Sequence, residues 1–278
     1  MVKIVILGTT QDGGIPHLDC SCSTCKTALE KGERKNVSSI GIIGSEKTLL
    51  VDATPDLPIQ FNLFKKHVGR DNLNINGILV THLHIGHYTG LIYFGRESAK
   101  SNLFPLYGTA ENLGFLKQNK PFSYLFERKE IQGNIIKPRE DLQLDQSVTI
   151  IPFEVPHRNE DGNTIGLEII NTQNGKKLIY LPDIDYLTED IIVKIKNADK
   201  VVLDGTFYKK NELMRQREIP HPPIIETVKL FGEQQPESKF YFTHLNHSNP
   251  VLKEQSKEYQ EIKKLHYNVC NEGMIIEI

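Results

Sequence analysis

Three histidines fall within six residues in Thr81-His82-Leu83-His84-Ile85-Gly86-His87, directly behind the apolar run Gly77-Ile78-Leu79-Val80. At the end of a buried strand, side chains so closely spaced can converge on one point. Imidazole nitrogen is a borderline-soft ligand suited to zinc, iron or nickel. Three solvated loop histidines are the plainer reading, and their tight grouping behind an apolar strand weighs against it. A second cluster is Cys20-Ser21-Cys22-Ser23-Thr24-Cys25. Three thiols in so short a loop match a tetrahedral zinc site in need of a fourth ligand. Free thiols, or a redox pair with a spectator, are the competing reading; zinc is favoured because a small loop of this kind has few other means of stabilisation. His17 is the local candidate for the fourth ligand. Cys270, alone near the other end of the chain, reads as an ordinary buried cysteine on a strand.

The elements that must carry these clusters follow from the apolar pattern. Strands rich in Val and Ile are predicted over 3–7, 39–43, 48–51 and 77–81, and helices over 58–67, 89–98 and 110–118. Residues 121–145 divide into short strands and turns. The second half has the same flavour, with strands over 148–155, 164–171, 177–181, 200–203, 239–243 and 274–278 and helices over 188–197, 223–231 and 252–265. Proline at 222 and 223 suits a helix start. Two comparable halves, about 1–145 and 146–278, fit a single layered α/β sandwich better than one alternating parallel sheet.

The 278 residues are enough to bury a large core, with 38% hydrophobic and 24% charged residues and a formal net charge of −2. That balance gives no global pull toward nucleic acid or an anionic membrane. No apolar run approaches the roughly 20 residues of a membrane span. Met1-Val2-Lys3-Ile4-Val5-Ile6-Leu7-Gly8 reads as a first strand and not as a signal peptide, a removed leader remaining open. Cysteines grouped in one loop are not the spread of a disulfide framework, so a reducing cytoplasm is expected. The expected partner is a small-molecule substrate, with no nucleic acid and no membrane; a homodimer is compatible with the sequence.

Thr-His-x-His-x-x-His behind a strand resembles the signature of metallo-β-lactamase-fold hydrolases. Further stations of that family follow in order. Val155-Pro156-His157-Arg158 resembles the third-motif histidine, Tyr180-Leu181-Pro182-Asp183 the bridging aspartate, Phe242-Thr243-His244-Leu245 the last ligand, and Leu50-Val51-Asp52-Ala53 the supporting aspartate of an early strand. The resemblance spans nearly the whole chain and implies a four-layer αββα sandwich. It implies one metal held by His82, His84, His157 and Asp183, with Asp183 also orienting a water. His87 and His244 are then left for acid/base work or for a second ion. One departure stands out: the family's aspartate before the last histidine of the first cluster is Gly86 here. The second position is therefore expected to be weak or labile, with Asp185 as a possible substitute, and Gly86→Asp is expected to strengthen it.

The thiol cluster narrows the resemblance. Gly13-Gly14-Ile15-Pro16 followed by Cys-x-Cys-x-x-Cys is similar to two members of this fold, the pyrroloquinoline-quinone biosynthesis protein B and the cyclic-ribose phosphodiesterase of phosphonate breakdown. Asn271-Glu272-Gly273-Met274 resembles the close of both. Asp52-Ala53-Thr54-Pro55-Asp56 and the stretch from His244 to Pro250 resemble the first in particular. The fourth zinc ligand of these relatives is a histidine ahead of a helix in the second half, which by resemblance is His221, in Ile219-Pro220-His221-Pro222-Pro223. The implied cofactors are one structural zinc at 20–25 and one active-site zinc, with iron or manganese as alternatives in the active site. The implied function is metal-dependent hydrolysis of a phosphodiester or related ester. Iron-dependent oxidation like that of the quinone-cofactor relative and non-catalytic metal binding are the alternatives. His247, Asn246, Asp12 and Tyr88, with loops 121–133 and 206–218, are expected to line the pocket.

Overall fold

The computed structural model describes residues 1–70, 73–157, 162–213, 219–232, 235–236 and 238–278. Arg158 of the third motif, and 214–218 of the expected pocket loop, lie outside the described residues. Two seven-stranded sheets stack face to face. The first is built from β1 (Lys3–Gly8), β2 (Ser39–Ile43), β3 (Thr48–Val51), β4 (Ile78–Leu79), β5 (Phe104–Gly108) and β6 (Ile131–Ile135). The second holds β7 (Leu142–Asp145), β8 (Val148–Glu154), β9 (Ile165–Asn171), β10 (Lys177–Leu181), β11 (Lys200–Asp204), β12 (Phe240–Thr243) and β13 (Tyr267–Val269). The last strand, β14 (Ile275–Glu277), returns to the first sheet and pairs antiparallel with β1.

Alternation along β1 shows how the layers form. Ile4 and Ile6 join the core between the sheets, whereas Val5 and Leu7 join the core under the first helical layer. Both faces are buried, so the strand reads as a continuous apolar run. The inter-sheet core is completed by residues such as Ile42, Leu49, Ile150, Leu167 and Tyr180. The chain adds α1 (Ser23–Lys31), α2 (Leu57–Arg70), α3 (Ile85–Tyr88), α4 (Ala110–Gln118), α5 (Ser123–Glu127), α6 (Glu189–Asn197), α7 (Ile224–Phe231) and α8 (Lys257–Lys264). Leu57 and Phe64 of α2 and Leu113 of α4 cover the first sheet. Ile191 and Ile195 of α6, Val228 of α7 and Ile262 of α8 cover the second. The result is the expected four-layer αββα sandwich.

Each sheet is antiparallel at its start and parallel toward its end: β3 to β6 run parallel in one, β10 to β13 in the other. The carboxyl ends of these parallel strands lie where loops can gather ligands. Several predicted elements shift. The strand over 77–81 shortens to two residues, which leaves Val80 and Thr81 to lead into the histidine loop. The helix over 89–98 is instead a 3-10 helix, Thr89–Phe94, directly behind the short α3. The helix over 252–265 begins later, at α8, and β13 was not anticipated. The two halves interlock more than their sequences suggest, because β7 already belongs to the second sheet and β14 crosses back to the first.

Candidate metal centre

Six histidines and five aspartates meet at one end of the sandwich. Asp52 follows β3 and His244 follows β12, and both take left-handed backbone, at φ 68° and 59°. Non-glycine residues adopt this conformation at a cost, which the surrounding contacts must offset. Here it turns each side chain off its strand and into the centre. Asp52 accepts from the Thr81 amide at 2.7 Å and from His87 Nδ1 at 2.8 Å, so one carboxylate fixes the start of the histidine loop and the ring at its end.

The histidines are held in a common manner. His82 Nδ1 lies 3.0 Å from Thr81 Oγ1, His157 Nδ1 lies 2.7 Å from Asp185 Oδ1, and His244 Nδ1 lies 3.0 Å from Thr206 Oγ1. With His87 on Asp52, these rings spend their Nδ1–H on protein oxygens and keep an Nε2 lone pair for the interior. The Nε2 atoms of His82, His87 and His244 are buried and make no hydrogen bond among the described residues, as do Asp12 Oδ1 and Asp183 Oδ1. Donors that point past one another toward a shared point fit a metal ion better than a hydrogen-bond network.

Distances support the fit. Asp183 Oδ2 lies 3.1 Å from His82 Nε2 and 3.6 Å from His84 Nδ1, Asp183 Oδ1 lies 3.1 Å from His157 Nε2, and His84 Nδ1 lies 3.0 Å from His157 Nε2. Tetrahedral ligands about 2.1 Å from zinc stand about 3.4 Å apart. His82, His84, His157 and Asp183 therefore come together as the resemblance implied, each donor within 4.8 Å of the others. A second set, Asp12, His87 and His244, lies beside it, with His87 Nε2 and His244 Nε2 at 4.0 and 3.6 Å from Asp183 Oδ2.

Electrostatics follow the same geometry. Burial works against charge on the rings of His82, His87, His157 and His244. At His87 the charges of Asp52, Asp12 and Asp183, with the Asp52 hydrogen bond, outweigh burial and raise the pKa to about 9, so a cation bound at its Nε2 displaces a proton there. At His82, burial and the neighbouring His87 prevail and hold it well below the usual imidazole value. Burial opposes ionisation of Asp183 too, but the facing rings of His244, His157, His82 and His84 outweigh it and hold its pKa well below the usual carboxylate range. The fully buried carboxylate is kept anionic by the rings that share it.

Other expected residues take different places. His221 does not join the thiols. It lies in the active-site cluster, its Nδ1 2.6 Å from Asp204 Oδ2 and 3.5 Å from Asp183 Oδ1. The fourth member of the thiol cluster is His247, whose Nδ1 is 3.4 Å from both Cys20 Sγ and Cys22 Sγ, with Cys25 completing the group. The reason is topological: Thr10 pairs with Leu245 and the Leu245 carbonyl accepts from the Gln11 amide, so the segment after His244 runs beside the loop before Cys20. The His17 ring packs at a tilt against that of His247, their centroids 4.9 Å apart. Asp185 orients His157 and does not reach the second set. Tyr88 packs on Phe115 and Phe122, and Asn246 bonds to Gln11. Residues 121–133 form α5 and the edge strand β6, packed on the first sheet. Asp204, missed in the sequence, ends β11 much as Asp52 follows β3, and the strand-end pattern Leu203-Asp204-Gly205 carried that signal. A cavity of about 600 Å³ opens beside the centre, lined by Asp185, Tyr186, Leu187, Lys210, His221 and Pro222 among others.

A family model described as a β-lactamase superfamily domain matches residues 47–245, which include the ligand sites from Asp52 to His244. The chain belongs to this superfamily. Two of its similar superfamily proteins are coenzyme PQQ synthesis protein B from Methylorubrum extorquens, 28% identical over 310 residues and covering 100% of both chains, and its counterpart from Acinetobacter baylyi, 28% identical over 308 residues and covering 99% of each. Among solved structures, zinc-bound PqqB from Methylobacterium extorquens superposes with a TM-score of 0.82 at 23% identity, over 99% of this chain and all of that one. A diphosphatase of the PhnP family superposes at 0.69 with 21% identity, over 99% of this chain and 96% of the other. The metallo-β-lactamase fold of the superfamily is thus the fold of this chain.

Proposed function

We propose that the protein is a metal-dependent hydrolase acting on a phosphodiester or related ester of a small molecule. One observation carries the reading: the donor sets His82/His84/His157/Asp183 and Asp12/His87/His244 both face the single carboxylate of Asp183, as does an overlapping group of Asp204, His221 and His244. Zinc suits these donors, with iron or manganese as alternatives. A divalent ion bound there lowers the pKa of a coordinated water to about 7 and polarises the ester it faces. Asp183 holds the cation and orients the attacking water. Of the two roles the sequence left open for His87 and His244, acid/base work or holding a second ion, their full burial favours the second. The acid/base work passes to His221, which Asp204 orients and which borders both the centre and the cavity. Its ring is positioned to give a proton to a departing alkoxide. Cys20, Cys22, Cys25 and His247 hold a structural zinc, and their thiols call for a compartment that keeps them reduced, in line with the cytoplasm.

A second reading has its own support. Two histidines and one carboxylate, as in Asp12/His87/His244, also suit ferrous iron and oxygen chemistry, and the full-length relatives are PQQ synthesis proteins. The two readings separate in one experiment. Protein loaded with zinc or manganese should hydrolyse bis(p-nitrophenyl) phosphate, and His84→Ala should reduce turnover by ~100-fold or more, since it removes a ligand of the activating ion. Unchanged turnover in His84→Ala sinks the hydrolase reading. Oxygen uptake confined to the ferrous protein, without ester hydrolysis, favours the second.

A further inference from the structure

The first cluster carries glycine where the superfamily resemblance calls for an aspartate, yet the space is not empty. A Cβ built on Gly86 would fall 2.2 Å from Asp12 Oδ1 and 2.8 Å from Asp12 Cα. Asp12 therefore already fills the volume into which a side chain at 86 would project. Its Oδ1 is buried without a hydrogen bond, 3.6 Å from His87 Nε2, and the donor atoms of Asp12, His87 and His244 lie within 4.8 Å of one another. The two histidine nitrogens it faces are likewise buried and without hydrogen bonds.

The loop is built to hold it there. The Gly14 amide donates to the Gln11 carbonyl at 2.8 Å, closing a turn with Asp12 at its second position. The Gln11 amide donates to the Leu245 carbonyl at 3.1 Å, and the Gln11 side chain accepts from Asn246 Nδ2 at 2.6 Å. On the other side, the Thr10 hydroxyl and amide both donate to the Asn36 carbonyl. The turn is thus tied to the residue following His244, and Asp12 and His244 are held in one frame.

We infer that Asp12 replaces the carboxylate missing at Gly86 and, with His87 and His244, completes a second divalent-metal site that shares Asp183 with the first. The position expected to be weak for want of an anionic ligand has one, delivered from the β1–α1 loop. Gly86→Asp then crowds the site and does not strengthen it. The inference rests on the metal-centre reading above, but the two fail separately.

The test is zinc content by mass spectrometry after dialysis against a weak chelator, with the visible spectrum of the cobalt-substituted protein as a second readout. The expected wild-type content is one zinc in the thiol cluster and one in each active-site position. Asp12→Ala and the milder Asp12→Asn should both lose one zinc and the matching part of the cobalt spectrum. Gly86→Asp alone should hold no more metal than wild type. The exchange Asp12→Gly with Gly86→Asp should restore the lost ion. Full zinc content in both Asp12 variants overturns the inference, as does a gain or tightening in Gly86→Asp alone. A wild type holding one active-site zinc also overturns it and leaves the hydrolase reading standing. Zinc in the thiol cluster alone defeats both.

Discussion

At the scale of single residues, the centre depends on oxygens that touch no metal position themselves. Thr81, Asp52, Asp185 and Thr206 each take one Nδ1–H, and by doing so decide which nitrogen of each ring faces inward. Asp185 gives the cleanest test because its side chain is partly exposed. Asp185→Ala frees the His157 ring to rotate and to change tautomer. The expected outcome is active-site zinc held ~10–100-fold more weakly, the usual effect of losing such a partner, with zinc in the thiol cluster unchanged. Competition with a chromophoric chelator reads both. Equal affinity in the variant would mean that packing alone fixes His157.

At the scale of elements, the two sheets are joined by more than their apolar faces. Asp145, the last residue of β7, accepts from the amides of Glu46 and Lys47 in the β2–β3 turn at 2.8 and 2.9 Å, and from the amide and hydroxyl of Ser147 at 2.8 Å. Burial favours the neutral acid, but these donors outweigh it and lower its pKa. A carboxyl whose folded pKa is depressed stabilises fully above its unfolded value near ~4 and loses that contribution as pH falls through the folded value. Asp145→Ala should therefore cost about 2 kcal/mol at pH 7, the range of hydrogen bonds to a charged acceptor, and the deficit should shrink below about pH 4. Urea midpoints of both proteins across that range are the measurement; a deficit independent of pH would assign the loss to packing. The same distinction between local and long-range contacts governs what the sequence discloses. His82, His84 and His87 stand in one loop behind one strand, so their convergence is legible from spacing alone. His157, Asp183 and His244 become legible through resemblance, because each ends a strand in the expected order. His247 and Asp12 are legible only as loop residues near the pocket; their places in the two clusters are hidden, since both depend on loops from opposite ends of the chain running side by side at Thr10 and Leu245. For His221, the resemblance to the thiol-bearing relatives implied the thiol cluster, whereas Asp204 at the end of β11 holds it in the active site.

At the scale of the whole molecule, the first donor set already spans both halves, with His82 and His84 behind β4 and His157 and Asp183 behind β8 and β10. An ion held there binds the folded chain and not the unfolded one, so it must raise stability. At a free zinc concentration of 100 times the dissociation constant the gain is about 2.7 kcal/mol. In a chain of this size that corresponds to a rise of roughly 5 °C in the thermal midpoint. His82→Ala should abolish the rise while keeping the share due to the thiol cluster, and calorimetry with and without zinc would reveal an equal rise in both proteins if the centre were idle. The same convergence constrains the kinetics. Asp12, Asp52, Asp183, Asp185 and Asp204 crowd one end of the sandwich, three of them almost wholly buried. An anionic ester that reached them ahead of any cation would meet like charge in an interior that screens poorly. On the hydrolase reading proposed above, the order of addition is then cation before ester, with the anionic product leaving before the cation.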